Sequence, residues 1–163
     1  FIESFPGGWG IVSALSKEVN VMTLFPQLRT ADRQRYNDFS TWGQLLRSTQ
    51  GLRHYLPEPS LNVPHKVVGY DASSTLAQNV GGAHWMAIGD AAMSFDPLSS
   101  HGVTNAIWTA NRVAKIIVQA SGSLPESEVA DYQRQIEEIF HGYSKAKAEL
   151  YKQKDQWEAQ VSV

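Results

Sequence analysis

The chain contains no cysteine. Disulfides and thiolate chemistry are therefore excluded, and the composition is compatible with a reducing compartment. No apolar run reaches membrane-spanning length and no signal-peptide pattern is visible, so the expected location is cytoplasmic, with no membrane span. Charge of one sign is also lacking. The formal net charge is -2, the pI is about 6.2 and there is no run of basic residues, so nucleic acid is not an expected partner. The histidines, His54, His65, His84, His101 and His141, form no close pair at metal-ligand spacing, and no metal is expected. Gly-x-Ser-x-Gly is missing, which removes the nucleophile elbow of a hydrolase. Asp96, Ser99 and His101 are too near in sequence to take up triad geometry. There is no internal repeat and no low-complexity tract. What remains is a chain of 163 residues with 42% hydrophobic and 18% charged residues, enough apolar material for a real core.

The first 25 residues read as β structure. Strands are expected over Phe1–Phe5, Trp9–Leu15 and Val19–Phe25, with turns at Pro6-Gly7-Gly8 and Ser16-Lys17-Glu18. Val19, Val21, Thr23 and Phe25 share one face, Met22 and Leu24 the other. Thr30 to about Ser48 reads as a helix capped by Thr30, with Tyr36, Phe39, Trp42, Leu45 and Leu46 as its apolar face. Gly51 ends it, and Leu52–Leu56 allows one further turn. Pro57–Ser60 is a loop and Val63–Tyr70 a strand with Val67, Val68 and Tyr70 packing. Residues 71–82 form a polar crossover.

The stretch from His84 onward carries the chemistry. Trp85–Ile88 has the length of a buried strand, ended by Gly89-Asp90. Pro97 interrupts regular helix, and Ser99 or Ser100 can cap the next one. From Val103 an apolar stripe follows at Val103, Ala106, Ile107, Ala110, Val113, Ala114 and Ile117. A carboxylate thus ends a strand, and a helix with free N–H groups begins a few residues later. That pairing suits a ligand with hydroxyls at one end and a negative or electron-rich group at the other. Gly122 stops this helix. Ser123-Leu124-Pro125-Glu126 reads as a capping box opening a last helix with Val129, Tyr132, Ile136, Ile139, Phe140, Tyr143, Ala146 and Leu150 at helical spacing. Gly142 weakens it locally.

Gly89-Asp90-Ala91-Ala92 followed by Asp96-Pro97-Leu98-Ser99-Ser100-His101-Gly102 resembles the second FAD-binding motif of the flavin monooxygenase superfamily. The Asp-Pro-Leu-Ser-Ser-x-Gly form looks most like the halogenase-like branch, the tryptophan halogenases and related monooxygenases. The resemblance covers about Trp85 to Ala114. It implies an α+β chain forming the C-terminal part of a two-domain, Rossmann-like flavoprotein of the glutathione-reductase type, with FAD as cofactor. It implies that Asp90 binds the ribitol hydroxyls and that Gly89 permits close backbone approach. Leu98 to Gly102 would hold the flavin pyrimidine edge through N–H groups, while the small Ala91, Ala92 and Gly102 let the cofactor lie against the backbone. Pro97 belongs to the same motif. Asp96 either sets the turn before Pro97 or supports the flavin. His101 is a candidate proton donor or an exposed residue of a capping turn. Gly8-Trp9 looks like the Gly-Trp strand of that branch, with Gly10 near where a second aromatic is found. Trp9 either lines a substrate pocket or is a core residue of the sheet. Tyr151 to Trp157 is loosely similar to the aromatic, charged C-terminal helix of that branch, or is a packing helix alone.

Relatives in this superfamily begin with a βαβ unit bearing Gly-x-Gly-x-x-Gly for the pyrophosphate. Gly7-Gly8-Trp9-Gly10 has the wrong spacing, and the chain opens on Phe1 without Met. The expectation is therefore a C-terminal fragment whose partner is the missing N-terminal half, inactive alone. Residues 1–80 would be the rest of an antiparallel substrate domain, 81–122 the FAD motif and 123–163 a helical segment. In the parent, reduced flavin would activate oxygen to hydroxylate a small organic, aromatic or hydrophobic substrate, or to oxidise a halide. Two other readings stay open: a non-catalytic module binding a ligand or partner chain, and an FAD-dependent reductase of the same superfamily.

Overall fold

The computed structural model describes residues 1–27, 38–56, 67–120 and 122–161, and the side chains of the last stretch as far as Gln153. It mixes helices with small antiparallel sheets, in two units, residues 1–71 and 72–163. No helix among the described residues is long and apolar enough to cross a membrane.

The first unit is built on a meander of β1 (Ile2–Phe5), β2 (Gly8–Ala14) and β3 (Asn20–Pro26), paired in that order. Each strand lies within one residue of its expected span. Gly7, at φ 81°, makes the first turn. On β3 the alternation holds, and Met22 and Leu24 face the core formed by Val12, Leu46 and Leu52, while Val19 and Val21 are exposed. Gly10 pairs with Leu24, and a Cβ on it would lie 2.6 Å from Leu52 Cδ1. That close approach explains why no aromatic stands at Gly10. The helix expected from Thr30 is, in its described part, α1 (Phe39–Arg47), and its cap is Asp38. The Asp38 carboxylate accepts from the N–H and hydroxyl of Thr41, and the Thr41 N–H holds its pKa below the usual carboxylate value. Thr30, Tyr36, the loop at 57–60 and Val63 lie outside the described residues. A 3-10 turn over Leu52–Tyr55 follows. Glu3 fastens it to β1, its carboxylate accepting from the N–H groups of Gln50, Gly51 and Leu52 at 2.6–2.9 Å. The strand expected at Val63–Tyr70 is not formed in its described part, Val67–Tyr70. Val68 and Tyr70 face water, and no strand pairs with them among the described residues.

The second unit contains two short pairs, β4 (Thr75–Leu76) with β7 (Met93–Ser94) and β5 (Gly81–Gly82) with β6 (Trp85–Met86). The expected buried strand at Trp85–Ile88 is thus the second arm of a tight hairpin, with Trp85 and Ile88 exposed. Against these pack α2 (Gly102–Gln119) and α3 (Glu126–Val161). Val80, Met93, Val113, Ile116, Tyr132 and Ile136 make the core. The α3 helix runs unbroken through Gly142, which is exposed and costs only helix propensity, about 1 kcal/mol. Arg112 on α2 bonds Glu128 and Asp131 on α3 at 3.1 and 3.3 Å. The side chain of Arg134 also pairs with Asp131 and holds its carboxyl below the usual value.

Most of the apolar stripe expected to bury α2 faces outward. Val103 is 75% exposed and Ile107 66%, and Ala106, Ala114 and Ile117 also meet water, while of the stripe only Val113 is buried. The buried positions are Asn105, Thr109, Val113 and Ile116. The reason is polar. Asn105 and Thr109 bond the backbone of the preceding loop, and an α-helix turned to bury its apolar stripe could not offer them there.

Candidate functional site

The loop from Ile88 to His101 is fastened to α2 at Gly89 and at Met93 and then runs into that helix. Ile88 is extended, at φ −131°, and Gly89 enters a 3-10 turn over Gly89–Ala91 with φ 56°. This is the left-handed region, where a side chain costs roughly 1–2 kcal/mol. A Cβ at Gly89 would sit 3.4 Å from Ala106 Cβ, so the backbone angle restricts this position more than space does. The Gly89 N–H donates to Thr109 Oγ1 at 2.8 Å, and Thr109 is fully buried. The Thr109 hydroxyl in turn donates to the Asn105 carbonyl at 2.7 Å. Asn105 Nδ2 donates to the Met93 carbonyl at 3.1 Å. One polar face of α2 thereby fixes the loop before and after Asp90. The Asp90 side chain is exposed and has no hydrogen-bond or ion-pair partner among the described residues. Ala91 is exposed and Ala92 buried.

The second part of the loop is the Asp96-Pro97 turn. Asp96 Oδ1 accepts from the Leu98 N–H at 3.0 Å, and the Asp96 carbonyl accepts from the Ser99 N–H and hydroxyl at 2.9 and 2.7 Å. Pro97–Ser99 forms a 3-10 turn. Ser100 then takes a left-handed conformation, φ 56°, which turns the chain into α2. His101 occupies the N-cap without a side-chain cap bond, exposed, its ring 6.0 Å from that of Phe95. The helical bonds begin with the Asn105 N–H on the His101 carbonyl. The N–H groups of Gly102, Val103 and Thr104 have no acceptor among the described residues. A Cβ at Gly102 would meet nothing within 4 Å, so the backbone there is open to approach. Asn105 Oδ1 is buried and has no partner among the described residues.

The candidate residues Gly89, Asp90, Ala91, Asp96, Pro97, Leu98, Ser99, Ser100, His101 and Gly102 all belong to this one loop and the start of α2. Trp9 lies in the first unit, buried and stacked on Phe25 with ring centroids 4.0 Å apart. Thr109, Asn105 and the α3 residues Tyr143, Lys147 and Tyr151 were not singled out from sequence as site residues. The last three stand at i, i+4 and i+8, a spacing that puts them on one helix face, but nothing in the sequence says what that face meets.

Chemically, the arrangement offers an exposed carboxylate that accepts hydrogen bonds from hydroxyls. It also offers unpaired N–H donors at the positive end of a helix, worth roughly 0.3–2 kcal/mol to a negative group. A threonine-to-valine change at Thr109 tests how the carboxylate is held. Thr109→Val should destabilise the chain by about 1–3 kcal/mol, because the buried Gly89 N–H loses its acceptor. Thr109→Ser keeps the hydroxyl and should cost less; urea unfolding followed by circular dichroism compares the two.

No family model matches the chain, and no solved structure matches it. It is 29% identical over 160 residues to a protein of Marinomonas mediterranea named "Putative FAD-dependent oxidoreductase LodB". The match covers 98% of this chain and 42% of that protein, so the chain spans less than half the length of the curated relative.

Proposed function

We propose that this chain supplies the ribityl- and pyrimidine-contacting part of an FAD-dependent oxidoreductase longer than itself. The observation that carries the reading is the loop of residues 89–102. It presents a carboxylate at Asp90 and N–H groups at Gly102, Val103 and Thr104 that have no partner among the described residues, the loop being fastened to one helix at Gly89 and at Met93. The residues fit FAD on chemistry. Asp90 accepts from ribityl hydroxyls, the α2 N-terminus favours the negative charge that reduced flavin carries, and the open backbone at Gly102 allows close approach. The buried Asn105 Oδ1, without a partner among the described residues, can accept from an enclosed water. Similarity over nearly the whole chain to a protein named for FAD-dependent oxidation supports the same cofactor.

FAD supplies the electron transfer when bound. The work of the chain is binding and orientation: Asp90 and the loop hold the hydroxylated arm, and Gly102, Val103 and Thr104 present the donors, because the N–H groups of Leu98, Ser99 and Ser100 are taken up within the Asp96-Pro97 turn. His101, exposed beside that N-terminus, is the group placed to move a proton there. Within this reading the reaction is a monooxygenation or halogenation of a hydrophobic or aromatic organic substrate. Residues 81–122 contact flavin, 123–163 support them and 1–80 belong to the substrate side, where Trp9 belongs to the sheet. The pyrophosphate is held outside these residues, so this chain alone is expected to be inactive.

The test is an absorbance spectrum after FAD addition and desalting, on the full-length natural protein and on this chain alone. Flavin retained by the full-length protein, and lost by the chain alone, is the expected pair. A full-length protein that retains none would sink the reading.

A further inference from the structure

The long helix α3 reaches the Asp96 turn with three side chains from one face. Tyr143 Oη accepts the Asp96 N–H at 2.6 Å. Lys147 Nζ lies 3.1 Å from Asp96 Oδ2, and Tyr151 donates its phenol hydrogen to the same oxygen at 2.8 Å. The Asp96 side chain is only 13% exposed, so these bonds are shielded better than an ordinary surface pair. Ser74 closes the network. Its hydroxyl is 2.9 Å from Tyr143 Oη and accepts from Lys147 Nζ at 3.1 Å. The Phe95 ring meets Tyr143 edge-on at 4.6 Å. The other carboxylate oxygen of Asp96 is committed to the Leu98 N–H, so whatever holds the carboxylate also sets the direction of the 3-10 turn. Ser100 and the free N–H groups of Gly102–Thr104 follow directly from that turn.

We propose that Tyr143, Lys147 and Tyr151 are positioning residues. They clamp Asp96 and thereby fix the α2 N-terminus where a flavin is read to bind. Asp96 is then a turn former that acts on the ligand through the clamp rather than by touching it. This rests on the flavin reading above, and the two are separable. A surface helix packing for stability alone would not need three polar groups converging on one carboxylate and its own N–H.

The experiment uses the full-length natural protein with Tyr151→Phe, Lys147→Ala, Lys147→Arg and, as a reference, Asp90→Ala. Amide hydrogen exchange at Leu98–Ser100 reads the clamp without any cofactor. FAD affinity and the flavin absorbance envelope read its effect on the ligand. Tyr151→Phe and Lys147→Ala should speed exchange at those amides about tenfold and weaken FAD binding about tenfold, as loss of a hydrogen bond to a charged group implies. Lys147→Arg should restore both in large part, which a role in bulk packing would not predict. Unchanged exchange overturns the clamp. Faster exchange with unchanged flavin affinity and spectrum, while Asp90→Ala loses binding, overturns the positioning role and leaves the flavin reading intact. A wild-type protein that takes up no FAD overturns the flavin reading and the positioning role with it, while the exchange data still report on the clamp.

Discussion

Asp90→Ala in the full-length protein weakens FAD binding by about a hundredfold and leaves folding stability within about 0.5 kcal/mol of the parent. The two halves of this result have separate causes. A carboxylate accepting from hydroxyls makes charge-assisted bonds worth about 1.5–3 kcal/mol each, and about 1.4 kcal/mol is a factor of ten. Loss of two such bonds therefore removes at least two decades of affinity. Stability is spared because Asp90 is exposed and bonds nothing else among the described residues. Asp90→Asn keeps an acceptor and loses the charge, and should fall between, near tenfold. A flavin fluorescence titration measures all three proteins. Equal affinities across them would remove Asp90 from the site.

Tyr132→Ala should cost the chain about 3–5 kcal/mol, a large part of the total stability of a domain this size. The ring is fully buried among Val80, Met93, Val113 and Ile136, and its hydroxyl donates to the Ala87 carbonyl at 2.8 Å, just ahead of the Gly89 turn. Truncation leaves both a cavity and an unpaired carbonyl. Tyr132→Phe keeps the packing and loses only the bond, so the smaller loss apportions the two effects. The parent and Tyr132→Phe also differ in alkali. Burial pushes the Tyr132 phenol from 10.0 up to about 12. The fold thus favours the neutral phenol, a contribution fully present below pH 10 and lost as pH rises through about 12. Urea midpoints between pH 9 and 12 should fall more steeply for the parent than for Tyr132→Phe; parallel slopes would mean that another group sets the alkaline limit.

The meander of the first unit was legible because its signals are local. Alternation and the turn residues at Gly7 and Ser16 set β1, β2 and β3 to within a residue. The presence of α2 was legible for the same reason, but not its ends: His101, not Ser99 or Ser100, occupies the N-cap, and the helix stops at Gln119, ahead of Gly122. Nor was its rotation. A helical stripe is assigned to the core on the assumption that apolar residues seek burial, and here two polar side chains hold the inward face because the Gly89 N–H and the Met93 carbonyl need partners. The Asp38 cap was hidden by an earlier candidate, Thr30, with an equally good side chain. The short hairpin at Trp85 looked like a strand because a run of four apolar residues carries no mark of its neighbour. At the site, the residues of 89–102 stand out in the sequence by their resemblance to a flavin-binding motif, whereas Tyr143, Lys147 and Tyr151 bond a turn some fifty positions away that no local pattern points to.

The rotation of α2 has a consequence for how substitutions on it should be judged. Mutational tolerance along this helix does not follow hydropathy, since the buried face joins Asn105 and Thr109 to Val113 and Ile116. Ile107 and Val118 are solvated, so a lysine at either leaves the packing of this chain untouched. Asn105 and Thr109, which a hydropathy scale would mark as replaceable, are the positions where an isosteric apolar residue does harm. A variant library of the chain alone, ranked by stability, would therefore show Asn105 and Thr109 as intolerant beside the core positions Val113 and Ile116. Intolerance at Ile107 or Val118 would instead report a contact made beyond the described residues.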